Sequence, residues 1–538
     1  MARISAQQVI DTVLDHGSFT SWDGTPEHGN IDEAYRGTLS RASEKTGLDE
    51  AVITGEGTVG GKRVAVICSE FGFLGGSIGT ATARRIIRSI ERATAEQLPL
   101  LLSPTSGGTR MQEGTAAFAL MISITTAVAR HKDSHLPFLV YLRNPTTGGV
   151  MASWGSAGHF TFAEPGALLG FLGPRVVELA TGEPMPEGVQ TSENLFKQGI
   201  IDGIIPLEGL RGAVRRTIDV LADGDPSEPT PPPAAAIDGR DTWEAILRTR
   251  DTSRPGGGDI IDALVDCSVP ISGTGDGHKS LSVRARLARI GERPVILVAQ
   301  DRHNQPPLGT HPMGPGSLRF ARRAMRIAES LNIPLVTVID TPGAELTKDA
   351  EENAMAGEIA RTLTTLVNLK VPTVSLILGQ GCGGGALAML PSDRVLAMHD
   401  AWMSPLPPEG ASAIIYRDTE HAPEMMEEQG VGAEAMLKTG VIDEIVAEPE
   451  DPAELPRRAL SAIEHALWEL EKNPARVGRE QRFDHYRRFA LGESGGGRGL
   501  VWAWFGPGLG LQPHPNLKKQ ESDWVYDTFG KFFTPEVS

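Results

Sequence analysis

From Arg63 the sequence spells out a succession of elements, and from Arg293 it spells them out again. Strand RVAVIC (63–68) is answered by RPVILV (293–298). The helical pattern TATARRIIRSIERATAEQ and strand LPLLLS are answered by SLRFARRAMRIAESLN and IPLVTVID. Each copy then shows a glycine-bearing turn (SGGTR; TPGAE), a helix, a strand (LPFLVYLR; VPTVSLIL) and a glycine cluster (TTGGV; CGGGA). Each ends on a related phrase, GIIDGII at 199–205 and GVIDEIV at 440–446. Pro99 and Pro334 stand 235 positions apart, Gly149 and Gly385 236, Asp202 and Asp443 241. Near-constant offsets of this kind mark an internal duplication. Strands alternating with helices in each copy predict two tandem α/β domains with mainly parallel sheets.

Residues 223–236, DGDPSEPTPPPAAA, lack apolar periodicity and read as a semi-rigid linker. The expected division is a first domain over 1–222, a linker over 223–238, a second domain over 239–493 and a tail over 494–538. The tail carries Trp502, Trp504, Phe505 and Trp524 amid Gly and Pro and has no counterpart in the first copy. No apolar run reaches the ~18 residues of a membrane span, and MARISAQQVIDTVLDHG has no apolar signal core, so the expected location is the cytoplasm. A net charge of −17 argues against nucleic acid and anionic membranes as partners. Any phosphate-bearing ligand then needs a local basic pocket. Cys68, Cys267 and Cys382 are scattered and odd in number, which fits reduced thiols and leaves no cysteine zinc site.

The chemistry is carried by glycine. Gly107-Gly108 follows strand LPLLLS, and Gly148-Gly149 follows LPFLVYLR. Gly343-Ala344 and Gly384-Gly385 hold the matching places in the second copy. Glycine lets a backbone approach a ligand, and helix N-termini leave N–H groups unpaired. Two such groups aimed at one point make an oxyanion hole. Tight turns alone would explain one cluster; their repetition in both copies points to function.

Other motifs fail on context. Asp340-Thr341-Pro342-Gly343 resembles a GTPase turn, and the stretch from Gly273 to Ser280 is one residue short of a phosphate loop. A phosphate loop leads into a helix, whereas LSVRARLARIGERPVILVA alternates and turns at Gly291-Glu292 as a hairpin does. Gly75-Gly76-Ser77-Ile78-Gly79 matches a nucleophile elbow, but Ser77 lies several residues past its strand and no histidine stands out for it. His159, His311 and His399 read as surface or packing residues, and Cys382 as a small packed side chain.

Longer stretches carry a resemblance. FGFLGGSIG (71–79), PTSGGTRMQEG (104–114), PTTGGVMASW (145–154), EPGALLGFLGPRV (164–176) and QTSENLFKQGIID (190–202) resemble the β subunit of bacterial acetyl-CoA carboxylase carboxyltransferase. VIDTPGAE (338–345), GQGCGGGALAM (379–389) and SPLPPEGASAI (404–414) resemble its α subunit. In β-then-α order, the chain resembles the fused single-chain carboxyltransferases of biotin-dependent acyl-CoA carboxylases.

The resemblance implies a crotonase fold in each half, acyl-CoA on the first half and biotin on the second. It also implies a homo-oligomer in which the first half of one copy faces the second half of another. Gly148 and Gly149 would hold the thioester enolate oxygen, Gly384 and Gly385 the biotin ureido oxygen, with Gly107, Gly108, Gly343 and Ala344 completing the two holes. Gly76, Ser77, Arg110, Thr147, Gly173 and Arg175 would line the acyl-CoA side, and Gly381, Cys382 and Gly383 the biotin side. No side-chain base is implied, because the carboxyl donor's own nitrogen takes the α-proton. The β subunit's four-cysteine zinc ribbon is absent here, so no metal is expected. A biotin-attachment sequence and an ATP-grasp region are also missing, which makes a separate biotin carboxyl carrier protein and a biotin carboxylase the expected partners. The sequence leaves open a propionyl-CoA carboxyltransferase, a biotin-independent malonyl- or methylmalonyl-thioester decarboxylase, and a non-catalytic scaffold of a carboxylase complex.

Overall fold

The structure, a computed structural model, describes residues 3–29, 31–222, 224 and 227–491. The expected tail over 494–538 lies outside the described residues.

Two sheets dominate. The first runs β1 (Thr20–Ser21), β2 (Val52–Val59), β3 (Lys62–Ser69), β4 (Leu100–Ser103), β5 (Phe138–Leu142), β7 (Phe160–Ala163) and β9 (Gly203–Ile204). Beside it, β6 (Thr146–Thr147) and β8 (Leu169–Gly170) form a small parallel ribbon. The second sheet runs β10 (Ser268–Ile271), β11 (Val283–Ile290), β12 (Arg293–Gln300), β13 (Leu335–Thr341), β14 (Thr373–Cys382), β15 (Arg394–Met398) and β17 (Glu444–Val446), with β16 (Trp402–Ser404) on the far end of β14.

Each sheet opens with three antiparallel strands, β1–β2–β3 and β10–β11–β12, and continues in parallel. The apolar runs VAVIC, LLLS, LVTVI and VSLIL are buried throughout, as parallel strands covered on both faces require. The hairpin expected at Gly291-Glu292 is formed, with Ile290 opposite Arg293. The region from Gly273 to Ser280 runs on into this hairpin and not into a helix, so it is no phosphate loop.

The covering helices follow from amphipathic spacing. Helix Thr80–Ala95 buries Ala83, Ile86, Ile90 and Ala93, and helix Pro315–Leu331 buries Leu318, Ala321, Met325 and Ala328. Proline at the first turn starts the latter, and Asn332 in a left-handed conformation ends it.

The repeated phrases have a physical reason. Asp202 accepts the backbone N–H of Thr161 at 2.9 Å, and Asp443 accepts that of Val395 at 2.8 Å. Each carboxylate thereby ties its phrase to the strand alongside. Asp202 also receives both guanidinium arms of Arg323, at 2.7 and 2.8 Å, which fastens the first half to the second. His159 bonds Ser330 across the same junction at 2.8 Å. One apolar core runs from Val66 and Leu101 through Leu297 and Val336, so the halves share an interior. The end of the Pro/Ala-rich stretch is held too: Ala234 bridges to Val446, and the Asp238 N–H donates to Glu434 at 3.1 Å.

Candidate active site

After β4 the chain turns at Ser106-Gly107-Gly108-Thr109. The Gly108 N–H donates to Ser106 Oγ at 3.0 Å, and Gly107 N–H to the Gly75 carbonyl at 2.9 Å. Gly108 has a φ of +119°. A second turn, entering the short helix Gly148–Met151, has Gly148 at a φ of +66° with its N–H on the Phe171 carbonyl. The two turns touch: a Cβ on Gly148 would lie 2.9 Å from Gly108 Cα, closer than carbon atoms pack. Two N–H groups here take no acceptor among the described residues. One belongs to Thr109, the other to Gly149 in the first turn of its helix.

The second half repeats the core of this pattern, with Pro342 in the place of Gly107. Gly343 N–H donates to Thr341 Oγ1 at 3.2 Å, as Gly108 does to Ser106. Met313 bridges Ala344 as Ile78 bridges Thr109. Gly383 opens helix Gly383–Leu387 at a φ of +69°. Each of these pairs is separated by 235 positions, as in 343 − 108 = 235. Ala344 and Gly384 therefore carry the second pair of N–H groups without an acceptor among the described residues.

This register corrects the sequence alignment by one residue. The counterpart of Gly149 is Gly384, not Gly385, and Gly148 matches Gly383. Gly385 instead packs inward, where a Cβ would meet Met313 Cε at 2.3 Å, and its carbonyl accepts from Gln300. Thr109 is a donor that sequence reasoning missed, because a main-chain N–H has no residue signature. Its equivalence to Ala344 through the 235-residue offset was the available signal.

Arg110 is a second correction. Its side chain has no exposure, so it does not reach a ligand in this structure. It pairs with the fully buried Glu50 at 2.6 Å and bonds Tyr35 Oη and the Ser77 carbonyl. Burial opposes its charge, but Glu50 outweighs that and raises its pKa. Arg110 thus clamps the SGGTR turn to the chain around Ser77.

Gly76 (φ +61°) lies so close to the Thr105 carbonyl that a Cβ would stand 2.1 Å from it. Ser77 Oγ donates to the Leu74 carbonyl at 2.7 Å and faces Arg110 Nε, so it is no activated nucleophile. Thr147 is buried with its N–H on the Ser106 carbonyl. Gly173 caps helix Pro174–Thr181, on which Arg175 is exposed. On the other side Gly381 lies against the Trp402 carbonyl. Cys382 Sγ sits 3.7 Å from the Cβ position of Gly343, and burial pushes its pKa up to about 12, so it stays a thiol. A cavity of about 320 Å³ beside it is lined by Arg250, Arg302, Pro342, Gln380 and Trp402.

Of the histidines, His159 is buried and its pKa is driven well below the usual value by burial. His311 is exposed. His399 lies buried against Glu434, and with Asp238 these place one ligand atom each within 4.8 Å of one another. Glu434 already bonds His399 and the Asp238 N–H there. Large apolar side chains are exposed in both halves: Phe118 (61%), Phe171 (69%) and Leu179 (79%) in the first, Leu346 (89%) and Ile414 (64%) in the second. No helix among the described residues is long and apolar enough to cross a membrane.

The model of the carboxyl transferase domain family matches residues 2–469. The "Probable biotin-dependent acyl-coenzyme A carboxylase beta3 subunit" of Mycobacterium tuberculosis (strain ATCC 25618 / H37Rv) is 49% identical over 495 residues, covering 91% of this chain and 99% of that protein. The "Acetyl-coenzyme A carboxylase carboxyl transferase subunits beta/alpha" of Salinispora arenicola (strain CNS-205) is 37% identical over 488 residues, covering 87% and 86%. Among solved structures, a transcarboxylase 12S hexamer with methylmalonyl-coenzyme A bound superposes with a TM-score of 0.70 at 21% identity, covering 87% of this chain and 90% of that one. That likeness extends to the fold, two tandem crotonase-like domains. On the family match and the two relatives together, the chain belongs to the carboxyl transferase domain family and is a transferase.

Proposed function

We propose that the chain is the carboxyltransferase component of a biotin-dependent acyl-CoA carboxylase, moving a carboxyl group from biotin on a separate carrier protein to acetyl-CoA to give malonyl-CoA. The observation that carries this reading is the doubled turn pair. Carboxyl transfer builds negative charge on two oxygens, and the chain offers two matched sets of unpaired N–H groups. Thr109 and Gly149 face the thioester oxygen and hold it as the α-carbon becomes nucleophilic. Each such donor is typically worth ~3–4 kcal/mol in the transition state. Gly108 and Gly148, without side chains, let the two turns close on each other.

When bound, biotin would supply the carboxyl group, and its ureido oxygen would gain negative charge as that group leaves. The second pair suits that oxygen: Ala344 and Gly384 present N–H groups, and the uncharged Cys382 thiol lies beneath Gly343. Ser77 and Cys382 are held as a bonded hydroxyl and a thiol, so the chain's contribution is main-chain hydrogen bonding and positioning.

In this reading residues 1–222 form the β-like acyl-CoA half and 239–493 the α-like biotin half, fused through 223–238. The exposed apolar side chains in both halves support a homo-oligomer in which the first half of one copy meets the second half of another. Biotin carboxyl carrier protein and biotin carboxylase are the partners, and the compartment is the cytoplasm. The acetyl preference is supported by the Salinispora arenicola relative's name.

The test runs the reaction backwards. Purified chain, malonyl-CoA and biocytin should yield acetyl-CoA, and Gly148→Val or Gly384→Val should abolish it. Acetyl-CoA formed equally well without biocytin would replace this reading with a decarboxylase. No product from malonyl-CoA or methylmalonyl-CoA would overturn it.

A further inference from the structure

Gln300 ends strand β12 with its side chain fully buried. Its carboxamide joins the two segments that carry the second pair of N–H groups. Oε1 accepts the Asp340 N–H at 3.1 Å, in the strand leading to Thr341-Pro342-Gly343-Ala344. Nε2 donates to the Gly385 carbonyl at 2.9 Å, one residue past Gly384. The same nitrogen lies 3.3 Å from Met313 Sδ, and Met313 bridges Ala344. One end of the amide must accept and the other donate, so these partners fix it in a single orientation.

Among the described residues the first half has no such brace. Ala65 lies opposite Leu100 as Ile296 lies opposite Leu335, which puts Ser69 in the place of Gln300. Ser69 Oγ is buried and makes no hydrogen bond among the described residues. There the two turns hold each other by contact, Gly148 on Gly108. In the second half a Cβ on Gly343 would come no nearer than 3.7 Å to its closest neighbour, Cys382 Sγ, and one on Gly383 no nearer than 3.5 Å to the Pro405 carbonyl. Contact between the glycines therefore does not set the spacing of the second pair, whereas a side chain bonded to both segments does. Loss of that side chain leaves a buried N–H and a buried carbonyl unpaired and frees the two segments to separate.

We infer that Gln300 is a positioning residue for carboxyl transfer, holding the Ala344 and Gly384 N–H groups at the separation that receives the biotin ureido oxygen. The inference rests on the biotin reading proposed above and deepens it. With no exposed surface, Gln300 acts through Asp340 and Gly385 and not on a ligand.

Two measurements on the full chain test it. Hydrogen exchange compares the wild type with Gln300→Met, which keeps the length of the side chain and loses both bonds. Peptides over 340–347 and 383–390 should exchange about tenfold faster in the variant, while those over 105–112 and 146–153 should not change. Unaltered exchange in the second-half peptides, or an equal rise in both halves, overturns the inference.

The second measurement is kinetic, with malonyl-CoA and biocytin. Gln300→Met should lower kcat/KM for biocytin about tenfold or more and leave the KM for malonyl-CoA within about twofold, a split that a general loss of structure would not give. Gln300→Asn, one methylene too short to reach both partners, should show the same split, and it serves in place of a Met variant that does not fold. Parallel losses for the two substrates, or none, overturn the inference. A wild type without biotin-dependent turnover, with exchange still rising only in the second-half peptides, would instead overturn the proposed reaction and leave the brace standing.

Discussion

The two turn pairs share a hydroxyl-to-glycine hydrogen bond and a flanking bridge, and differ in what surrounds them. In the first half the strand is interrupted: β5 ends at Leu142, and the turn residues form the separate strand β6, paired with β8. In the second half β14 runs unbroken for ten residues to Cys382 and pairs with β16. The first pair is tight, with Gly148 pressed on Gly108; the second is looser, since a Cβ on Gly383 would come no nearer than 3.5 Å to any neighbour, the Pro405 carbonyl. Thr147 in one half stands where Cys382 stands in the other. The donors have thus been kept while the walls have been rebuilt. That is the pattern expected when one scaffold must stabilise the same kind of oxygen on two ligands of different shape.

The sharpest way to break this comparison is to ask what each half depends on. Arg110→Met leaves the fully buried Glu50 without its ion-pair partner. The expected loss is about 3–5 kcal/mol of folding stability in urea titrations. Adding Glu50→Leu should restore most of it; a double variant as unstable as the single one would show that Arg110 matters for another reason.

Next come the glycines themselves. Gly148→Ala forces a Cβ into Gly108 and should slow biotin-dependent malonyl-CoA decarboxylation by about 3 kcal/mol, roughly 10²-fold, through displacement of the Gly149 donor. Gly383→Ala meets only an ordinary contact with the Pro405 carbonyl and strain from its positive φ, so its loss should be several-fold smaller. Equal losses would erase the contrast between a tight and a loose pair.

Acid should act through the first half. Burial lowers the pKa of His131 to about 4, and that of His159 falls well below the usual 6.5. Groups with depressed folded-state values are protonated first in the unfolded chain, so stability is full above pH 6.5 and falls as pH drops towards 4. For His131 the loss is about 2–3 kcal/mol over that window. Urea titrations at pH 7.5 and 5 measure it, and His131→Asn should flatten the slope. An unchanged slope would assign it to other groups.

The smallest effect concerns the shared device. Ser106→Ala and Thr341→Val each remove the hydroxyl that accepts a glycine N–H, a bond worth about 1 kcal/mol. Each should lower kcat several-fold with little change in KM. A defect in only one would show that the duplicated bond no longer has the same role in both halves.

Much of this was legible in the sequence because duplication is a long-range signal that needs no geometry. The strands, the hairpin at Gly291 and the glycine-bearing turns appear where the offsets place them. Three things were not legible. The register of the second glycine cluster slipped by one, because CGGGA offers more glycines than TTGGV and only φ values and packing decide among them. Arg110 read as a ligand contact because it follows the turn, yet its partners Glu50 and Tyr35 lie 60 and 75 residues earlier. Thr109 carried no residue signature, since its contribution is a main-chain amide, and only its offset from Ala344 pointed to it.

That last point reaches beyond the fold. An amide N–H does not titrate at any physiological pH, is not oxidised and is not alkylated. A centre built from Thr109, Gly149, Ala344 and Gly384 therefore offers no reactive side chain to an electrophilic inhibitor, and the buried Cys382 thiol is protonated. Molecules that block such a centre must compete by shape, placing an oxygen where the amides point. Resistance, in turn, must arise in the walls, because side-chain substitution cannot delete a main-chain donor unless it introduces proline.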